Sequence, residues 1–227
     1  RPDGQLADAF FHSTCGGHTA AKDQVWPTGP DPLLGGVPDA RPGGVPWCAA
    51  SKYSRWTVRW RWSELEEILA RTLPAYLRYL EGGGRAAWRD GAFTATQGRR
   101  GPGEPGPLQD LAITARTPAG RVAVLEITCA AGRYRVRGDQ TRRVLVPPGG
   151  RPSMLRSAWF DLEVRPGQGV VARGRGWGHG LGLCQMGALG RAEAGQDAAT
   201  ILAHYYPGAR VEPLDPDEAP PHLDPET

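Results

Sequence analysis

Apolar and polar positions alternate most cleanly at Trp56-Thr57-Val58-Arg59-Trp60-Arg61-Trp62. That period of two predicts a strand with its tryptophans on one face. Ser63 follows as a candidate N-cap, with Glu66 completing a capping box. Leu65, Ile68 and Leu69 then repeat at helical spacing, and the helix is expected to stop before Pro74. Further apolar runs predict strands over 122–128, 134–137, 143–146, 158–164 and 169–173. Near the start, Pro2-Asp3-Gly4-Gln5 reads as a hairpin turn leading into a strand over 6–11. A hairpin needs a strand before its turn, so the natural protein is expected to continue upstream of Arg1. A helix is expected from Cys184 to about Ala194, with Gly195 as its stop. Asp197 caps a second one, which Pro207-Gly208 ends.

The segments between these elements are loops. Residues 27–50 are rich in Pro and Gly, and 75–107 read as an insertion that is Gly-rich from 82 onward. With 32 Gly and 22 Pro in 227 residues, long helices are not expected to dominate. The class predicted is α+β: mainly an antiparallel sheet or partial barrel, with a few short helices and Gly/Pro-rich loops. One domain would span 1–211, followed by an acidic, Pro-rich disordered tail over 212–227.

Charge sharpens that division. The formal net charge is +3, yet residues 213–227 hold five acids and no Lys or Arg, so the remainder stands at +8. A basic body points to an anionic partner: nucleic acid, anionic lipid or an acidic cell-wall polymer. No nucleic-acid-binding motif accompanies it, and no apolar run approaches the length of a membrane span.

Two segments carry candidate chemistry. One is His12-Ser13-Thr14-Cys15-Gly16-Gly17-His18-Thr19. The other runs from Gly174 to Gln185 through Gly176-Trp177-Gly178-His179-Gly180, with glycine at every second position from 174 to 182. Such spacing suits a backbone that bends sharply or comes close to a ligand. It is neither a P-loop nor a dinucleotide fingerprint. None of the four cysteines, Cys15, Cys48, Cys129 and Cys184, forms a C-x-x-C pair. Three readings of this sulfur and imidazole chemistry stay open: a zinc site drawn from Cys15, His18 and Cys184, a disulfide among Cys15, Cys48 and Cys184, and a Cys–His nucleophilic pair. No cofactor other than zinc is indicated. Cys129 and His204 read as core residues.

These motifs, with Ile201-Leu202-Ala203-His204-Tyr205-Tyr206-Pro207-Gly208 after them, resemble the signatures of the SpoIID/LytB family. The resemblance covers about residues 3–211 and is weakest over 75–107. It implies a domain of the extracytoplasmic cell envelope, with a signal or anchor upstream. Its partners would be peptidoglycan glycan strands and other cell-wall hydrolases. Sporulation members of the family are lytic transglycosylases that cut glycan strands lacking stem peptides; other members are amidase enhancers. The residues implied to line the groove are His12, Ser13, Gly16, Gly17, His18, Trp177, Gly178, His179, Gly180 and Gln185. The family's catalytic glutamate belongs to a helical segment ahead of the first motif, upstream of Arg1. Members often carry Tyr at the position of Phe11 and Ser at those of Cys15 and Cys184. The paired cysteines therefore suggest a Cys15–Cys184 contact, with Cys48 competing for Cys15.

Overall fold

The computed structural model describes residues 6–26, 28–81 and 104–212. The strands are β1 (Phe11–His12), β2 (Trp56–Arg61), β3 (Leu108–Arg116), β4 (Val122–Cys129), β5 (Gly132–Arg137), β6 (Phe160–Arg165), β7 (Gly169–Gly174) and β8 (Leu183–Cys184). The helices are α1 (Lys22–Val25), α2 (Trp62–Tyr79), α3 (Gln140–Val144), α4 (Gln185–Glu193) and α5 (Ala198–Tyr205). Two antiparallel sheets of three strands, ordered β2-β7-β6 and β3-β4-β5, make up most of the extended structure. A two-residue parallel pair, β1-β8, is the third sheet. The class is α+β, and the sheets do not close into a barrel. No helix among the described residues is long and apolar enough to cross a membrane.

The main core lies between the two larger sheets and α2. In β2, Trp56, Val58 and Trp60 point inward while Thr57, Arg59 and Arg61 face out, as the alternation predicts. Burying each such side chain stabilises by roughly 1.5–3 kcal/mol. The indoles still need hydrogen-bond partners. Trp60 Nε1 donates to the Val146 carbonyl at 2.8 Å, and Trp56 Nε1 donates to the Gly176 carbonyl at 2.9 Å. The second bond fastens the glycine-rich segment to the sheet.

Several expectations need correction. Helix α2 starts at Trp62, one residue before Ser63, and Arg61 is its cap. The Arg61 N–H donates to Glu64 Oε2 at 2.9 Å, while Glu66 accepts from the Leu108 N–H at the same distance. Helix α2 also runs through Pro74 instead of stopping before it. Its buried stripe of Leu65, Ile68, Leu69, Leu73 and Tyr76 spans the proline, and Ala70, four residues earlier, is exposed where water can satisfy its carbonyl. The run 143–146 is not a strand: α3 occupies its first half, and Val144 and Leu145 are both buried, which no one-sided strand allows. Strand β3 carries no clear alternation and is not predicted from the sequence; bulges interrupt its register with β4. The strand expected over 6–11 shrinks to β1, because the Phe10 N–H turns back to the Asp8 carbonyl at 2.9 Å. Helix α4 and the Asp197 cap form as expected, the latter with the Thr200 N–H at 2.7 Å from Asp197 Oδ1. The hairpin turn at 2–5, the Gly-rich stretch 82–103 and the tail from 213 lie outside the described residues.

Candidate functional site

The two motifs, more than 160 residues apart in sequence, lie side by side. Phe11 pairs with Leu183 and His12 with Cys184 in the parallel β1-β8 pair. Thr14 and Trp177 exchange both backbone hydrogen bonds, at 3.0 and 2.8 Å. The Ala20 N–H donates to the Gly180 carbonyl at 2.8 Å, and the Met186 N–H to the Ser13 carbonyl at 3.0 Å. The tyrosines of α5 and the residue after it close this seam. Tyr206 Oη donates to the Phe10 carbonyl at 2.7 Å, and Tyr205 Oη donates to Asp39 Oδ2 at 2.9 Å.

The alternating glycines are explained by this contact. Gly176, Gly178, Gly180 and Gly182 all have positive φ. A Cβ on Gly178 would lie 2.7 Å from His12 Cβ, and one on Gly182 would lie 2.0 Å from the Phe10 carbonyl oxygen. The close approach that the spacing predicts is thus made to the chain's own first motif. Gly16 and Gly180 are buried, against Arg175 and Arg121 respectively, while Gly17 is half-buried against Pro46.

The histidines divide by environment. His12 is buried; Nδ1 donates to the Leu181 carbonyl at 3.0 Å, which leaves Nε2 an acceptor without a partner among the described residues. Burial, followed by the nearby Arg121 charge, lowers its pKa from 6.5 to about 3. The His179 Nδ1 accepts from the Leu181 N–H at 3.0 Å, which places the proton of the neutral ring on Nε2. This ring is half-buried among Phe10, His12 and Trp26, and burial lowers its pKa too. His18 Nδ1 donates to the Thr19 carbonyl at 2.6 Å. A pH dependence follows for His12. Below pH 6.5 the unfolded chain binds a proton that the folded chain refuses until about pH 3. Stability should therefore fall as pH drops through that window, by at most about 1.4 kcal/mol per unit from this residue. The melting temperature of His12→Gln should decline less steeply between pH 7 and 5 than that of the parent. Parallel slopes would contradict the assignment.

Three of the four thiols meet beneath the seam. Cys15, Cys48 and Cys184 are fully buried, with all three sulfurs within 4.8 Å of one another. All four cysteines are free thiols. Cys15 Sγ lies 3.6 Å from Cys48 Sγ and donates to Asp39 Oδ2 at 3.2 Å, and Cys184 Sγ accepts from the Cys15 N–H at 3.1 Å. His18 does not belong to this group; Cys48, delivered by the Pro/Gly-rich crossing, stands where the sequence suggested His18. Cys129 lies in the main core, as expected. Asp39, which the sequence does not single out, is fully buried and binds Arg191 through Oδ1, at 3.1 Å from Nε and 3.0 Å from Nη2. Arg191 Nη2 also donates to His204 Nε2 at 2.7 Å, so His204 is a half-buried, hydrogen-bonded neighbour of this ion pair.

On the outer side of the seam, Ser13, Gly17, His18, Trp177, Gly178 and His179 are half-buried and Gln185 is exposed. Trp177 meets Tyr53 edge to face, with ring centroids 4.1 Å apart. Lys52 Nζ and Arg156 Cζ lie 5.0 and 5.4 Å from the Tyr53 centroid, and Arg175 Cζ lies 4.7 Å from that of Trp159. Sequence inspection misses Tyr53, Lys52 and Arg156, which come from loops without a motif. A separate cavity of about 400 Å³ between α2 and α3, lined by Arg71, Tyr76, Tyr79, Gln140 and Arg143 among others, contains no seam residue.

A domain family of unknown function, DUF8618, matches residues 92–182. Stage II sporulation protein D of Bacillus amyloliquefaciens is 35% identical over 103 residues, covering 45% of this chain and 26% of that protein. The amidase enhancer of Bacillus subtilis is 25% identical over 236 aligned residues, covering 92% of this chain and 30% of that protein. An uncharacterized protein of Brachyspira hyodysenteriae is 25% identical over 208 residues, covering 92% and 44%. The chain therefore spans between a quarter and under half of the length of these relatives. Together with the paired motifs, these similarities support an assignment to the SpoIID/LytB family.

Proposed function

We propose that the outer side of the seam holds peptidoglycan glycan strands that lack stem peptides, within a lytic transglycosylase of the cell envelope. The names of the relatives, stage II sporulation protein D and amidase enhancer, support a cell-wall role. The observation that carries the reading is the Trp177–Tyr53 edge flanked by Lys52 and Arg156. The C–H faces of sugars pack on aromatic rings, and the lactyl carboxylates of muramic residues pair with cations. Ser13, His18, His179 and Gln185, from the same two motifs, reach solvent and offer groups suited to sugar hydroxyls.

Cleavage in such an enzyme needs a carboxylic acid to protonate the glycosidic oxygen. The sugar's own 6-hydroxyl then captures the oxocarbenium-like centre, leaving a 1,6-anhydro end in place of a hydrolysed one. Asp39 and Asp139, two carboxylates near the seam, are largely buried and paired with Arg191 and Arg142. Neither is placed to hand a proton to a strand lying on the outside. The acid in this reading is the glutamate that the resemblance puts ahead of the first motif. The 227-residue chain should then bind denuded glycan without releasing 1,6-anhydro products, as mass spectrometry of the digest would show; their appearance would overturn this division of labour. Trp177→Ala should weaken binding by about tenfold, or about 1–2 kcal/mol. Unchanged affinity in a folded variant would count against the proposed surface.

A second reading is an enhancer module that binds glycan for a separate amidase. It is favoured by the amidase-enhancer match, which covers 92% of this chain. Adding the chain to an amidase digest of sacculi separates the two: faster peptide release supports the enhancer, and no change supports the first reading.

A further inference from the structure

We infer that Cys15, Cys48 and Cys184 form a buried zinc site that clamps the two motifs and the Pro/Gly-rich crossing together. The three sulfurs lie within 4.8 Å of one another. Tetrahedral zinc at a Zn–S distance of about 2.3 Å sets its sulfurs about 3.8 Å apart, and Cys15 Sγ and Cys48 Sγ are already 3.6 Å apart. Asp39 Oδ2, 3.2 Å from Cys15 Sγ, is the neighbouring oxygen donor for the fourth position.

Backbone N–H groups are aimed at two of the three sulfurs, as thiolates held by a metal would require. Cys184 Sγ accepts from the N–H groups of Cys15, at 3.1 Å, and Gly187, at 3.2 Å, and Cys15 Sγ accepts from that of Gly17 at 3.2 Å. A neutral thiol is a weak acceptor, whereas a thiolate rewards such donors. Cys184 also caps the N-terminus of α4, where the helix dipole stabilises negative charge.

Charge gives a second, independent pointer. Arg121 is 2% exposed, and its Nη2 donates to the carbonyls of Cys15, at 3.1 Å, and His18, at 3.2 Å. Its Nε and Nη1 have no hydrogen-bond partner among the described residues. Buried guanidinium groups normally have an anionic counterpart, but Asp139, the carboxylate that acts on Arg121, is paired with Arg142, and Asp39 is matched by Arg191. Zinc held by three thiolates carries a net charge of −1, which balances Arg121. Three neutral thiols would leave that arginine uncompensated. Binding replaces three S–H bonds with Zn–S bonds and releases the three protons to solvent.

The test uses the full 227-residue chain, purified without oxidant and stripped of metal. Titration with Co²⁺ should give a near-ultraviolet thiolate-to-cobalt band that saturates at one ion per chain, and zinc should displace the cobalt. Bound zinc should shield Cys15, Cys48 and Cys184 from alkylation until a chelator is added. Cys48→Ser should weaken zinc binding at least tenfold, while Cys129→Ser, in the other core, should leave the cobalt spectrum unchanged. The parent spectrum stands alone if Cys48→Ser does not fold. Absence of the cobalt band from the reduced parent, or a band that persists at full strength in folded Cys48→Ser, would overturn the site. A Cys15–Cys48 disulfide that resists mild reductant would overturn it as well. None of these readouts depends on glycan binding.

Discussion

Asp39→Ala is expected to destabilise the chain by about 3–5 kcal/mol, the range for breaking a buried ion pair by removing one partner. Asp39 is fully buried, and each of its oxygens has work elsewhere in the fold. Oδ1 holds Arg191; Oδ2 accepts from Tyr205 Oη and Cys15 Sγ. Deletion would leave a guanidinium only 7% exposed without its charge partner. It would also remove the side-chain link from Tyr205 of α5 to Cys15 of the first motif. Domains of this size are stable by about 5–15 kcal/mol, so the variant should lose a large share of its stability. Urea unfolding followed by tryptophan fluorescence measures it. A loss below about 1 kcal/mol would show that water replaces the carboxylate readily and that the network is not a clamp. Asp39→Ala with Arg191→Met should recover part of the loss, because the unpaired charge is then gone.

The second large effect is expected at Gly182. Its φ of +63° costs an alanine about 1–2 kcal/mol by itself. The added Cβ would also lie 2.0 Å from the Phe10 carbonyl oxygen and 3.0 Å from Tyr206 Cε1. That oxygen accepts from the Leu183 N–H at 3.0 Å and from Tyr206 Oη at 2.7 Å. Backbone must therefore move and break bonds that join the motifs. Gly182→Ala should cost about 3 kcal/mol or more in total. Gly195→Ala is the control: φ is +87°, and nothing lies within 4 Å of the new Cβ. It should show the conformational cost alone, about 1–2 kcal/mol. Equal losses at the two positions would mean that the seam yields where it is described as tight.

The contrast between these glycines shows what the sequence could and could not reveal. Regular glycine spacing marks a segment of unusual backbone, and the structure puts one where expected. What the backbone approaches is set by the fold, so a ligand and a second motif give the same spacing. The tryptophan strand is legible because one face is buried and the other wet. Strand β3 is hidden because its bulges break the alternation. Pro74 misleads because local propensity is outweighed by the burial of residues on both sides of it. At the site, Cys15 and Cys184 stand out within motifs, but Cys48 joins them from a loop. Arg121 lies beneath the seam although nothing in its strand-edge position announces it. Tyr53, Lys52 and Arg156 likewise gain their meaning from where the loops bring them.

The claim that the outer seam carries the glycan is tested most directly by oxidative footprinting. Tyr53 and Trp177 would be labelled with hydroxyl radicals in the presence and absence of denuded glycan strands, and oxidation read by mass spectrometry. Tyr79, 37% exposed beside the separate cavity between α2 and α3, is the internal reference. The account predicts that glycan protects Tyr53 and Trp177 and leaves Tyr79 unchanged. Protection of Tyr79 with Tyr53 and Trp177 still open would contradict it.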